Sequence, residues 1–331
     1  MNRPLITVLG ATGAQGGGVV ESLLRDPTRT PAIRAVTRQP QGPAASRLRS
    51  AGCAVVQADL DDPASLRRAF EGAQGVFAVT NFWEHLSPDR ELQQAHNIAV
   101  AAAAAGVGHV VWSTLEDVCQ HVPLDDPRLP TLHERWKVPH LDAKGQANGY
   151  FLEHGVPVTF LHTSFFWENF ISFGLGPRRL PGGELVLALP MGERPLPGIA
   201  VADIGAVAAA LFARPAPAPT RTIGIAGEHL TGTQMAAAMS RALGEPVRYA
   251  PPTPAQFAAQ GFPGADDLAN MFAFKHDFNA MFCELRDVDA TRRLHPGLLG
   301  FDRWLERHAA RIPIEPAARD SAPSQGAPQS A

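Results

Sequence analysis

The stretch Gly10-Ala11-Thr12-Gly13-Ala14-Gln15-Gly16-Gly17 follows directly on the apolar run Leu5–Leu9 and leads into the helical pattern Val19–Leu24. A short β-branched run that ends in glycines and continues into a helix reads as strand, tight turn, helix. The turn needs residues without Cβ, because it must tolerate positive φ and let backbone approach a ligand closely. Backbone N–H groups at the start of the following helix then form an anion site suited to a pyrophosphate. Glycine-rich turns also serve ordinary strand-to-helix corners. The spacing Gly10, Gly13, Gly16 in this context favours the dinucleotide reading, with Thr12, Ala14 and Gln15 in the same loop.

Outward from that loop, the first half alternates strand-like and helix-like runs. Strands are predicted at Leu5–Leu9, Ile33–Thr37, Ala54–Gln57, Val76–Thr80, His109–Ser113 and Val158–Leu161. Helices are predicted near Gln15–Leu24, Pro63–Phe70, Asp89–Ala105 and His140–Glu153. Alternation of this kind implies an α/β fold with parallel strands and crossover helices, a doubly wound sheet with its ligand crevice at the strands' carboxyl ends. Beyond residue 165 the alternation breaks down. Leu185–Leu189, Thr222–Ile225 and Val247–Tyr249 are short strand candidates among helices near Asp203–Phe212, Thr233–Leu243 and Pro254–Gln260. We expect a dinucleotide-binding domain over 1–165, to which later elements are free to return. A smaller cleft-forming domain is expected over 166–312, with Asp203 capping the alanine-rich helix after it. The Pro-, Ala-, Ser- and Gln-rich residues 313–331 read as a disordered tail.

The composition fits this scheme. A chain of 331 residues with 45% hydrophobic and 18% charged residues suits a globular enzyme-like protein. Its net charge of -3 argues against a nucleic-acid surface built on bulk charge. No apolar segment is long enough to cross a bilayer. The first strand begins so early that no secretory signal is expected. Cys53, Cys119 and Cys283 are spaced neither as a disulfide framework nor as a metal site, so a reducing cytoplasm is the expected location. No metal is expected: His133-Glu134 and His162 with Glu168 come nearest, without a helical His-x-x-x-His pair.

The ends of the predicted strands carry the specificity. NAD-specific sites usually place a carboxylate after the second strand, whereas here that strand ends in Thr37-Arg38. A guanidinium suits a 2′-phosphate, with Thr37 adding a hydroxyl, so NADP(H) is the expected cofactor; the alternative is a solvated loop charge. Asp59 and Leu60, after the third strand, are placed beside the adenine, and Asp61 or Asp62 is expected to cap the helix at Pro63. Thr80, Asn81 and Phe82, after the fourth, are placed near the nicotinamide ribose.

These segments, with Trp112-Ser113-Thr114-Leu115-Glu116, Asp142-Ala143-Lys144-Gly145, Phe165-Phe166-Trp167-Glu168-Asn169 and the run from Gly261 to Phe272, resemble the NmrA-like family of atypical short-chain dehydrogenases/reductases. The subgroup most resembled is that of NADPH-sensing regulators. The resemblance implies a Rossmann-type domain, a small C-terminal α+β domain, NADP(H) in the cleft between them, and a loop over the nicotinamide containing Phe166, Trp167, Glu168 and Asn169. Catalytic members of the superfamily use Tyr-x-x-x-Lys. Here the only tyrosines are Tyr150 and Tyr249, and the register reads His140-Leu141-Asp142-Ala143-Lys144. Lys144 keeps the ribose role. His140 is either a replacement acid or base or a residue at the helix start. Ser113 and Thr114 stand where the superfamily has its catalytic serine. The stretch Met271–Phe282 either lines a pocket or lid or packs in the core. The expectation is therefore an NADP(H) redox sensor with a degenerate catalytic site and a regulatory partner, and a second copy of the chain as a further partner. The alternative is an NADPH-dependent oxidoreductase of a small carbonyl or quinone.

Overall fold

The computed structural model describes residues 3–25, 31–215 and 220–314. The predicted tail thus lies outside the described residues except for Pro313 and Ile314. β1 (Leu5–Val8), β2 (Ala32–Thr37), β3 (Ala54–Gln57), β4 (Gly75–Ala78), β5 (His109–Thr114), β6 (Val158–His162) and β7 (Arg221–Gly224) make a seven-stranded sheet in the order β7-β6-β5-β4-β1-β2-β3. Every pairing in it is parallel. β4, β5 and β6 are buried along their whole length, as parallel strands covered on both faces must be. β1 lies between β2 and β4, so strand order reverses there and a crevice opens at its carboxyl end, directly before Gly10.

The helices that matter here are α1 (Ala14–Leu24), α2 (Pro43–Ser50), α3 (Pro63–Phe70), α4 (Pro88–Ala104), α5 (Pro139–Gln146), α6 (Asn148–Glu153), α7 (Val201–Phe212), α8 (Gly232–Leu243) and α9 (Ala265–Asp277). One sheet face packs against α1 and α7 through Val19, Val20, Ile204, Val207 and Leu211. The other packs against α3, α4 and α6 through Leu66, Phe70, Ile98 and Phe151. Each such side chain contributes roughly 1.5–3 kcal/mol by leaving water. Asp62 caps α3, accepting from Ala64 N at 3.0 Å and Ser65 N at 3.2 Å. Asp61 instead pairs with Arg90 at 2.5 Å.

Two elements predicted for the C-terminal part return to the sheet. β7 pairs with β6, Arg221 opposite Thr159, and covers an edge that would otherwise offer unpaired backbone groups. α7 lies on α1, and there the small residues Gly18 and Gly205 let the two backbones touch. Asp203 does not cap α7, which begins at Val201 after Ala200; it accepts from His295 Nε2 at 3.1 Å and Leu299 N at 3.0 Å.

The remaining C-terminal elements form a separate core over the strands' carboxyl ends, around Trp167, Phe170, Phe272, Phe274 and Trp304. Two three-stranded sheets support it, one of them pairing Phe165–Phe166 with Leu196–Ile199. A buried ion pair ties it to the large sheet. Arg286 is fully buried, donates to Thr163 O at 2.9 Å and reaches both oxygens of Glu116 at 2.5 and 3.0 Å.

Candidate functional site

A cleft of about 750 Å³ runs along the carboxyl ends of β1, β2, β4 and β5 and under α9. Its floor at one end is the glycine loop. Gly10 has φ +61°, and a Cβ on Gly16 would stand 2.3 Å from Gly10 O, so both positions demand glycine. Gly13 N is used on Gly10 O at 2.8 Å, and Gly17 N on Gly13 O at 2.9 Å. No side chain caps α1, and its first turn holds no acidic residue. The first-turn amides of Ala14, Gln15 and Gly16 are left facing the cleft, beside Thr12 and Gly13.

Thr37 and Arg38 line the cleft beyond this loop, with Asp59 and Leu60 across from them. Arg38 is not a free loop charge. Its guanidinium forks onto Glu84, one contact very short and the other, Nη2 to Oε2, 3.0 Å. That hydrogen-bonded pairing raises the Arg38 pKa and lowers that of Glu84.

Thr80, Asn81, Phe82 and Lys144 form the middle of the wall. The Lys144 ammonium donates to Thr80 Oγ1 at 2.7 Å and Thr80 O at 3.2 Å and pairs with Glu91 Oε1 at 2.6 Å. Glu91, from α4, is fully buried. Burial pushes its pKa up, but the charge of Lys144 and hydrogen bonds from Lys144 and Thr80, with His85 Nε2 3.4 Å away, more than offset this and leave it at about 2. The carboxylate therefore fixes both Thr80 and the lysine.

Ser113 donates to Gln15 Oε1 at 2.7 Å, and Thr114 donates to Lys144 O at 2.8 Å, so both hydroxyl protons are committed within the protein. His140 differs. It lies in the first turn of α5, one turn before Lys144, and lines the cleft. Its ring packs between Phe82 and Trp83, with centroids 5.9 and 4.9 Å away. Asp267 of α9, 3% exposed, meets His140 Nδ1 at 2.6 Å and also accepts from His140 N at 3.2 Å. A carboxylate can only accept, so Nδ1 carries the proton and Nε2 is the nitrogen presented to the cleft.

A family model described as NmrA-like family matches residues 2–305. The chain belongs to the NmrA-like family. It is 31% identical over 298 residues to an NmrA-like family domain-containing oxidoreductase, ptmS, of Penicillium ochrochloron, covering 83% of this chain and 84% of that one. In fold it is similar to the negative transcriptional regulator NmrA in complex with NAD, with TM-score 0.75, 21% identity, and 92% and 95% of the two chains covered. It is also similar in fold to an NADPH-dependent quinone oxidoreductase of Escherichia coli complexed with NADPH, with TM-score 0.71, 24% identity, and 93% and 99% covered.

In this NmrA-like chain the loop after β6 divides. Phe166 and Asn169 line the cleft, but Trp167 and Glu168 do not, which corrects their expected place. Trp167 is 1% exposed and packs on Phe301 and Trp304, because adjacent aromatic residues in extended backbone point to opposite faces. Glu168 accepts from Trp304 Nε1 and Val201 N, both at 3.0 Å, and so joins that core to α7. Met271 lines the cleft, whereas Phe272, Phe274 and Phe282 are core residues, so the Met271–Phe282 stretch does both jobs. Asp117, Cys119 and Asp142 are close enough to hold an ion. The Asp142 carboxylate, however, is spent on the amides of Val118, Lys137 and Val138 at 2.7 to 2.8 Å. Among the described residues no helix is long and apolar enough to cross a membrane.

Lys275, which lines the cleft, and Glu91 and Asp267, which hold the cleft residues Lys144 and His140, were not singled out as candidate site residues from the sequence. All have one signal in common. Glu91 falls in register with Ala95, Ile98 and Ala102, and Asp267 with Met271 and Phe274, each a buried helical stripe. A charge on an apolar stripe needs a buried partner.

Proposed function

We propose that this chain is an NADP(H)-dependent oxidoreductase that reduces a small conjugated carbonyl or quinone. The observation that carries the reading is the His140–Asp267 pair, whose free nitrogen opens on a cleft with apolar walls at Leu115, Phe173, Leu268 and Met271. The cleft fits the cofactor. The Gly16 position, where a Cβ would strike backbone, and the unshared amides of Ala14–Gly16 suit the pyrophosphate. Thr37 and Arg38 would take the 2′-phosphate, Asp59 and Leu60 the adenine, and Thr80, Asn81, Phe82, Lys144, Phe166 and Asn169 the nicotinamide half. Bound there, the reduced cofactor supplies a hydride.

The chain's own part is the proton. Protonated at Nε2, His140 donates to the substrate oxygen as negative charge develops on it and is then reprotonated from solvent; Asp267 holds the ring's tautomer and orientation. Ser113 and Thr114 act as positioning residues, since their protons are engaged elsewhere.

Loss of NADPH absorbance against 1,4-naphthoquinone and an aromatic aldehyde tests this reading. His140→Gln is expected to lower kcat by about 10²-fold or more with the aldehyde. The loss is expected to be smaller with the quinone, which needs less acid assistance, and NADPH affinity should stay the same.

A second reading, as a redox sensor, is favoured by the Arg38–Glu84 fork, in which a 2′-phosphate would compete with Glu84 for the guanidinium. Absence of turnover on both substrates, with an NADPH-dependent change in the protein's size, would replace the first reading by the second.

A further inference from the structure

α9 sets Leu268, Met271 and Lys275 on the cleft wall at helical spacing. Lys275 is 5% exposed. Its ammonium stands 3.1 Å from Met271 Sδ and 5.2 Å from the centre of the Phe282 ring. Among the described residues no carboxylate pairs with it. A thioether and a ring face are poor company for three N–H donors.

The same molecule shows how it treats a buried ammonium away from the cleft: Lys137, fully buried, donates to the carbonyls of Leu124, Asp126 and Leu129 at 2.7 to 3.0 Å. Lys275 has no such oxygen acceptor, yet it lines the cleft. Burial, with repulsion from Arg286 and weaker attraction from Glu116, brings its pKa down to about 7. An unshared donor on an otherwise apolar wall is a binding group that lacks its acceptor.

We propose that Lys275 anchors the substrate, taking an ionised oxygen of a flat, apolar, conjugated ligand whose reducible end lies toward His140. Lys275 lies about 12 Å along the α9 axis from Asp267, which holds His140, so the ionised oxygen and the reducible carbonyl belong at opposite ends of the ligand. The ligand class is thus an acidic quinone or enone rather than a neutral one. The assignment rests on the oxidoreductase reading for which end reacts, but not for the anchor itself. Because burial lowers the Lys275 pKa toward neutrality, seating an anion beside it favours the charged amine, and binding at alkaline pH takes up protons.

Calorimetric titration of the NADP+-loaded protein at pH 8 tests this, using anionic 1,4-naphthoquinone-6-carboxylate and neutral 6-methyl-1,4-naphthoquinone as probes. The anion is expected to bind at least about tenfold tighter, as one charged hydrogen bond is worth. Its heat should also differ between buffers of unlike ionisation enthalpy, the mark of net proton uptake. Lys275→Met, close in volume, should lose both effects while keeping NADP+ and the neutral probe. Lys275→Gln, a donor without charge, should do the same and replaces the Met variant if that does not fold. An anion preference that survives in both variants, binding without proton uptake, or no binding of either probe would overturn the assignment. Equilibrium binding needs no turnover, so an anchor without activity would refute only the oxidoreductase reading.

Discussion

At the scale of single residues, groups were legible where their type and their place after a strand coincide, as with Gly10, Gly16, Arg38 and Asp59. Their partners were not, because a contact such as His140 with Asp267 joins positions far apart in the chain. Asp267→Asn is the sharpest test of that pair. The amide can present a donor where the imidazole needs an acceptor, so the ring is held in the other tautomer and its charged form loses the carboxylate that supports it. Turnover is expected to fall by about 10²-fold or more with little change in NADPH affinity, read from initial rates and a fluorescence titration. Arg38 and Glu84 form a second pair that sequence alone did not reveal. Arg38→Gln should weaken NADPH by about 10–100-fold, the worth of a charge-assisted hydrogen bond, and leave NADH unchanged. Glu84→Gln should tighten NADPH severalfold, since the phosphate no longer competes with a carboxylate.

At the scale of elements, strands and long helices followed from periodicity, and Asp62 before Pro63 marked the start of α3. α2 was missed because only Ala45 of it is buried, which leaves no apolar stripe to read. α4 read as a helix, but the importance of its Glu91 came from Lys144 on α5, which the topology brings against it. Glu91→Gln strips the charge from a buried pair and leaves the ammonium uncompensated. The loss is expected to be about 3 kcal/mol at neutral pH, measured by urea unfolding. The sign with pH follows from the lowered pKa, about 2 in the fold against an ordinary 4.5. The carboxylate stabilises the fold fully above pH 4.5 and loses that contribution as pH falls toward 2. The gap between wild type and variant should therefore close over that window.

At the scale of the whole molecule, the helix that follows the glycine loop packs directly against a helix from the C-terminal half. The alternation of strands and helices revealed the sheet, but not that α7 would come back to lie on α1, since the residues that permit it are glycines and alanines with no pattern of their own. A Cβ on Gly205 would stand 2.2 Å from the Gly18 carbonyl and 2.7 Å from Val19 N, all of it backbone of α1. No flexible side chain can yield there, so Gly205→Ala must push the two helices apart, at a cost of about 1–3 kcal/mol. α1 is also the helix whose first turn faces the cleft, so its displacement moves the amides of Ala14, Gln15 and Gly16. Gly205 itself does not line the cleft. Gly205→Ala is nevertheless expected to weaken NADPH and NADH by the same factor, unlike Arg38→Gln, which should discriminate between them. Gly149→Ala supplies the control, because a Cβ there meets nothing closer than 3.9 Å and should be neutral or stabilising. Equal loss of both cofactors in Gly205→Ala would tie the helix contact to the site; unchanged affinity in a destabilised variant would show that the loop holds its shape without α7.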